Sequence, residues 1–190
     1  MSIRSLRYPF VLLGLFVFTG TAAAQGPLVN NSTTSALQMT ATVQSAVQLN
    51  ISTGSGGATV SRSNSTGLFN VAFGDVNGWG VGTPTSGVTV TQDSSGALYK
   101  TPINLTPVYS GFTSEKADIM VQAGTNGDEN LAREGSSSIS SSSTVGATPT
   151  IAVSRANSGS RNERYVGFYV SRTEAAGSKT ATLVYTVMVQ

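Results

Sequence analysis

The chain has 190 residues, a formal net charge of +2, and neither cysteine nor histidine. This composition excludes a disulfide framework, Ser-His-Asp and Cys-His catalytic groups, and the common zinc sites. Charged residues are sparse, at 11%, and form no basic run of the kind that follows nucleic-acid phosphates, so we expect no enzyme, no cofactor or metal and no nucleic-acid partner.

Residues 1–24 are predicted to be a secretory signal peptide. Arg4 and Arg7 precede an apolar run from Phe10 to Phe18, and the segment closes on Ala22-Ala23-Ala24 as a small-residue cleavage site. The apolar run is shorter than the roughly 20 residues of a transmembrane helix, so we expect no transmembrane segment after signal removal. The sequence therefore predicts a protein secreted to the periplasm or the bacterial cell surface.

Residues 25–36 are predicted to be a flexible lead-in, and residues 37–190 a single β domain. From Leu37 to Ile51 apolar side chains recur at odd positions, which is the period of a strand with one buried face. Fifteen residues would extend about 50 Å, which is too long for one small sheet. We therefore expect a break near Ser45-Ala46. The first part presents one apolar face, made of Leu37, Met39, Ala41 and Val43.

The middle of the chain predicts short strands separated by turns. The segments with this pattern are Leu68–Phe73, Val88–Thr91, Ala97–Val108 and Ala117–Gln122. Pro102 and Pro107 interrupt the third of them, which favours an edge strand or an irregular crossing.

Trp79 is the only tryptophan and lies in a glycine-rich loop. An exposed Trp79 would stack on a sugar ring, which makes this a candidate ligand loop. Burial is the favoured interpretation, because large aromatic side chains usually bury most of their area.

Two acidic patterns have an ordinary surface interpretation. Residues 126–130 carry oxygen ligands at close spacing, but they lack the spacing of a recognised calcium loop. A solvated turn is favoured there, and calcium binding stays open. Glu163 lies beside Arg164, and Glu174 lies near Arg172, so surface ion pairs are favoured over paired catalytic carboxylates.

The end of the chain predicts a serine-rich loop at residues 136–144 and three final strands, at Ile151–Arg155, Tyr165–Arg172 and Ala181–Gln190. No segment shows a 3.6-residue apolar period. Seven to nine short strands predict an all-β, immunoglobulin-like sandwich of two sheets.

The last strand has two interpretations. It either closes a complete sandwich or forms one side of a groove that accepts a strand from another subunit. In the second case the donor face is the apolar face of residues 37–43. The acceptor residues are then Leu183, Tyr185, Val187 and Val189.

The layout resembles secreted bacterial β-sandwich domains of the spore coat protein U type and the related archaic chaperone–usher pilins. The resemblance is carried by the strand Leu37–Leu49, the run Phe73-Gly74-Asp75-Val76, and the turn Ala176-Gly177 before the terminal strand. The chain departs from pilins in having no cysteine, and in having Val189 where an aromatic residue is usual.

The resemblance implies a structural subunit of a surface filament or coat that assembles by strand donation. Its partners would be further copies of the same chain or other surface subunits, together with a periplasmic chaperone. The alternative function is a secreted glycan- or protein-binding module that uses Trp79.

Overall fold

The structure is a computed structural model. It describes residues 38, 40, 41, 44–64, 66, 68–112, 116–125 and 127–190. Thr42–Gln190 forms one compact unit. The predicted signal peptide, the predicted lead-in and three residues of the predicted donor face (Leu37, Met39 and Val43) lie outside the described residues. Within the described part, no helix is long and apolar enough to cross a membrane.

The described residues form an all-β fold, as predicted. The strands are β1 (Ala46–Thr53), β2 (Val60–Arg62), β3 (Phe69–Val71), β4 (Thr89–Gln92), β5 (Gly96–Ser110), β6 (Ala117–Ala123), β7 (Ala132–Gly135), β8 (Thr150–Ala156), β9 (Asn162–Ser171) and β10 (Leu183–Val189). A 3-10 turn covers Glu129–Leu131. β1 begins at the predicted break. β2 and β7 were not predicted, because each contains a single apolar residue, which cannot show a period of two.

All strand pairs are antiparallel. The larger sheet has the order β1-β5-β9-β7, and β4 also pairs with β5. The smaller sheet has the order β10-β6-β8, and β2 and β3 form a separate two-stranded hairpin. The first and last of the described strands, β1 and β10, are therefore each at the edge of a sheet.

β5 corrects one expectation, because it is a continuous central strand rather than an edge or an irregular crossing. Pro102 pairs with Tyr165 of β9 and Pro107 with Leu49 of β1, but neither has a strand partner on the side to which its own main-chain groups point. Pro102 lies between the ends of the β4 and β1 ladders, and its carbonyl accepts a bond from Gly54 N. Pro107 lies beyond the end of β9, and its carbonyl accepts a bond from Gly159 N. Since the N–H and C=O of a strand residue point to the same side, the missing N–H groups interrupt no ladder.

The core lies between the two larger sheets. Ile103, Leu105 and Val166 of the larger sheet pack with Ile119 of the smaller sheet. Partly buried side chains of β1, β3 and β10 pack against this cluster. The alternation of half-buried and exposed residues along β10 agrees with the predicted period of two.

The turn between β4 and β5 depends on the carboxylate of Asp93. Its Oδ1 atom accepts bonds from Ser95 N and Gly96 N, both at 2.8 Å, and from the hydroxyls of Ser95 and Tyr169. The bond from Ser95 N, followed by that from Tyr169, holds the pKa of Asp93 well below its usual range. Folding therefore stabilises the ionised form of Asp93 relative to its protonated form.

We expect Asp93→Asn to change the pH dependence of stability. An unfolded aspartate has a pKa of about 3.9. Because the folded pKa is lower, the carboxylate stabilises the fold above that pH and loses this contribution as pH falls through the folded pKa. Urea unfolding at pH 7 and pH 3 should show a stability difference between wild type and Asp93→Asn that shrinks at the lower pH. Asp75→Asn is the control, because Asp75 accepts one side-chain bond, from Thr83. An equal difference at both pH values would contradict the prediction.

Candidate functional site

Among the described residues, no strand pairs with the outer edge of β10. Gly124 N donates to Thr182 O and Gln190 N donates to Lys116 O, so even-numbered residues of this segment face β6. Alternate residues of an antiparallel strand direct their main-chain groups to opposite sides. The odd-numbered residues of β10 therefore direct their N–H and C=O groups to the open edge. These are the four predicted acceptor residues, Leu183, Tyr185, Val187 and Val189.

The outer edge of β1 has the same arrangement. Gly54 N donates to Pro102 O, so the even-numbered residues of β1 face β5. Leu49 and Ile51 direct their main-chain groups away from β5, while their side chains pack against the core. In the described part of the chain, neither β1 nor β10 has a second ladder partner.

An apolar cavity of about 650 Å³ borders both open edges. Its walls come from β1, the β2–β3 hairpin, the inner face of the larger sheet, the start of β10 and the more polar segment before it, Lys179 to Thr182. The lining includes Leu49, Ile51, Val60, Leu68, Phe69, Val71, Phe73, Ile103, Val166, Phe168, Leu183 and Tyr185. Leu68 at its rim is 56% exposed. This cavity is large enough to take several apolar side chains from another segment.

A buried ion pair lies near the cavity. Arg164 Nε and Nη2 donate to Glu134 Oε1 and Oε2 at 2.8 and 3.0 Å, and the Glu134 side chain is only 4% exposed. This bidentate pairing raises the pKa of Arg164 above its usual value. The pair was not predicted from the sequence. The alternation along β9 could have indicated that Arg164 is partly buried, because Arg164 and the buried Val166 are two residues apart and share one face of the strand.

The hydroxyl of Tyr185 has no hydrogen-bond partner among the described residues, and its oxygen exposes less than 1 Å². Burial raises the pKa of Tyr185 well above its usual value, and the charge of Glu134 raises it further, while Arg164 opposes this. The hydroxyl is therefore neutral at physiological pH and available as a donor.

Lys179 and Thr180, which lie just before β10, contact Asp128 of the acidic segment that was considered as a calcium site. Asp128 Oδ2 accepts a bond from Thr180 N at 2.8 Å, and Lys179 Nζ lies 2.7 Å from Glu174 Oε1 and 3.9 Å from Asp128 Oδ1. The bond to Glu174 raises the pKa of Lys179. Among the described residues, no three acidic, histidine or cysteine side chains cluster to hold a metal. Asp128 and Glu174 thus position the start of β10.

The expected pairing of Glu163 with Arg164, and of Glu174 with Arg172, is wrong. Glu163 and Arg164 are adjacent in β9 and therefore point to opposite faces of the sheet. Arg164 pairs with Glu134 instead, and Glu174 pairs with Lys179.

Trp79 corrects the expectation of burial, because it is 58% exposed. Asn77 Oδ1 accepts bonds from Trp79 N and Val81 N, and the Tyr99 hydroxyl bonds both the N–H and the C=O of Asn77. Arg172 lies over the indole, with its guanidinium carbon 4.4 Å from the ring centroid. The loop thus holds an exposed aromatic side chain in one place, beside a cation.

The predicted donor face is represented in the described residues by Ala41, which is exposed. The predicted acceptor residues are half-buried, and Leu183, Tyr185 and Val187 pack against the core. The contact between the donor face and the acceptor residues therefore remains a prediction.

Comparison with protein-family models, with curated proteins and with solved structures finds no significant match for this chain.

Proposed function

We propose that this protein is a secreted, non-enzymatic structural subunit of a bacterial surface filament or coat that assembles by β-strand donation. In this proposal the fold is an immunoglobulin-like sandwich that lacks one strand. One observation carries the proposal: an apolar cavity lies against two strand edges whose open main-chain groups belong to residues with core-facing side chains.

The occupant is the apolar face of residues 37–43 from a second copy of the chain. An added strand would bond the open N–H and C=O groups of an edge and direct alternate side chains into the cavity. Leu37, Met39 and Val43 would each contribute about 1.5–3 kcal/mol when fully buried. The same groove is the surface that a periplasmic chaperone would cover before assembly.

The test uses the chain from Gln25 onward, as secreted, with one charge introduced on either face of the donor segment. Met39→Asp should abolish filaments and ladders, because the carboxylate would have to enter an apolar cavity. Thr40→Asp carries the same charge on the opposite face and should leave assembly intact. Size-exclusion chromatography with light scattering and electron microscopy read out the result. A wild-type chain that stays a stable monomer would overturn the proposal.

The exposed Trp79 supports a second candidate function, a binding module for surface glycans or a protein partner. Aromatic side chains with one free face stack on sugar rings, and the adjacent Arg172 supplies hydrogen-bond donors. Trp79→Ala should then abolish retention on a panel of immobilised glycans and leave assembly intact. If Trp79→Ala binds every glycan as the wild type does, this glycan-binding role is wrong.

A further inference from the structure

The inference concerns the exposed pair Trp79 and Arg172, and it rests on the second candidate function, glycan binding by the Trp79 loop. The loop packs directly on the end of β9. A Cβ atom at Gly78 would lie 2.2 Å from Ser171 O, so only glycine permits this approach. Arg172 is also tied down, because its Nη2 donates to Asp93 O at 3.1 Å. The indole and the guanidinium are therefore held together without a ligand.

The charge of Arg172 is not neutralised by an ion pair. Within the described part of the chain Arg172 forms no salt bridge, and its Nε and Nη1 atoms have no bonded partner. The Oδ1 atom of the Asp93 carboxylate is bonded to the Tyr169 hydroxyl instead. Arg133 lies over the Tyr169 ring, with its guanidinium carbon 5.2 Å from the centroid, and likewise forms no salt bridge among these residues. This cluster of contacting groups therefore holds two guanidinium groups and one carboxylate, an excess of one positive charge.

The indole separates two binding surfaces. Arg172 covers one face, with its guanidinium carbon 4.4 Å from the ring centroid, yet Trp79 is 58% exposed, so the opposite face is open. A sugar ring stacked on the open face would lie about 4 Å from the indole and so roughly 8 Å from the guanidinium. That is beyond the reach of an acid group on the same ring. Two adjacent sugar units can use both surfaces, because the second unit can pass the edge of the indole.

We propose that Trp79 and Arg172 bind an acidic oligosaccharide. One sugar ring stacks on the open face of the indole, and the anionic group of a neighbouring sugar accepts hydrogen bonds from Arg172. The planar guanidinium matches a carboxylate or a sulfate, and bonds of this kind are strong because both groups are charged. Stacking on the indole and the bond to Asp93 O already fix the guanidinium, so little further ordering is needed on binding.

The test follows the fluorescence of Trp79, which is the only tryptophan of the chain and therefore reports binding at this loop. The protein is the chain from Gln25 onward. The ligands are an oligomer of galacturonic acid and its full methyl ester, which keeps the sugar rings and removes the charges. We expect the acid to bind at least about tenfold more tightly than the ester, because a charge-assisted bond replaces a neutral one.

Two further ligand comparisons define the anionic group and the length of the ligand. A dextran oligomer and its sulfate ester form a second pair, and comparing the two pairs distinguishes a carboxylate from a sulfate. The galacturonic acid monomer should bind at least about tenfold more weakly than the oligomer, because one ring cannot contact both surfaces.

Arg172→Gln tests the residue that recognises the charge. It should weaken binding of the preferred acidic oligomer about tenfold and leave binding of its uncharged counterpart unchanged. Arg172→Lys should recover only part of the loss, because it keeps the charge without the planar fork. Arg161→Gln is the matched control. It removes the same charge from an exposed arginine at the opposite end of β9 and should leave both affinities unchanged.

The outcomes separate this proposal from the function on which it rests. Equal affinity for the charged and uncharged member of both pairs overturns the acidic ligand and leaves glycan binding at Trp79 standing. Equal losses for Arg172→Gln and Arg161→Gln also overturn it, because the attraction would then follow the total charge of the chain. A monomer that binds as tightly as the oligomer overturns the two-unit arrangement. No fluorescence change with any of these ligands overturns the acidic-glycan site, and a glycan panel that also retains nothing overturns glycan binding itself.

Discussion

Replacing Glu134 with alanine is expected to lower the free energy of unfolding by about 3 kcal/mol. The substitution leaves the Arg164 guanidinium inside the fold without its bidentate partner, and breaking a buried pair in this way costs about 3–5 kcal/mol. The lower end applies because the Arg164 side chain retains 18% of its exposure and can reach some water. Since a domain is stable by only about 5–15 kcal/mol, this change alone removes a large fraction of the stability. Urea unfolding followed by circular dichroism measures it.

Glu163→Ala is the matched control for that measurement. Glu163 precedes Arg164 in sequence, is exposed, and accepts a 3.4 Å bond from Ser55 N. We expect its removal to change stability by less than about 0.5 kcal/mol. Equal effects at the two glutamates would show that Arg164 does not depend on Glu134. The double variant Glu134→Leu with Arg164→Leu should recover most of the loss, because an apolar replacement removes the desolvation cost of both charges.

Proline at Val187 is expected to block assembly while leaving the β10–β6 ladder intact. The N–H of Val187 faces the open edge, so proline removes a donor that only an incoming strand would use. We expect the dissociation constant for the peptide of residues 36–45 to rise at least about tenfold. The acceptor is the chain from Gln25 onward with Met39→Asp, so that its own donor face is inactive, and the fluorescence anisotropy of the labelled peptide measures binding.

Two further variants separate the edge effect from loss of packing. Val187→Ala keeps the N–H and removes part of the core contact, so it should destabilise the subunit by about 1–3 kcal/mol and bind the peptide better than Val187→Pro. Met188→Pro removes an N–H that bonds β6 and should destabilise the fold, although the Met188 side chain is exposed. Equal peptide binding by Val187→Pro and Val187→Ala would show that β10 is not the acceptor edge.

Local periodicity was a good guide along β10, whereas Val47, on the predicted buried face of β1, is 45% exposed. Leu183, Tyr185 and Val187 contact the core as the alternation predicted, and β1 begins at the predicted break. The prolines of β5 misled the prediction because a strand's place in a sheet depends on its neighbours. Pro102 and Pro107 fit a central strand only because the β4, β1 and β9 ladders end beside them.

The amino-acid sequence by itself determined the all-β class of the described fold and the inward face of its terminal strand, because a period of two is a property of the extended backbone. Tertiary structure alone decided that Arg164 pairs with Glu134, that Trp79 stands exposed beside Arg172, and that the Tyr185 hydroxyl is buried without a described partner. These three outcomes depend on residues far apart in the chain. Their contacts arise from strand order and register, which no local pattern of side chains encodes.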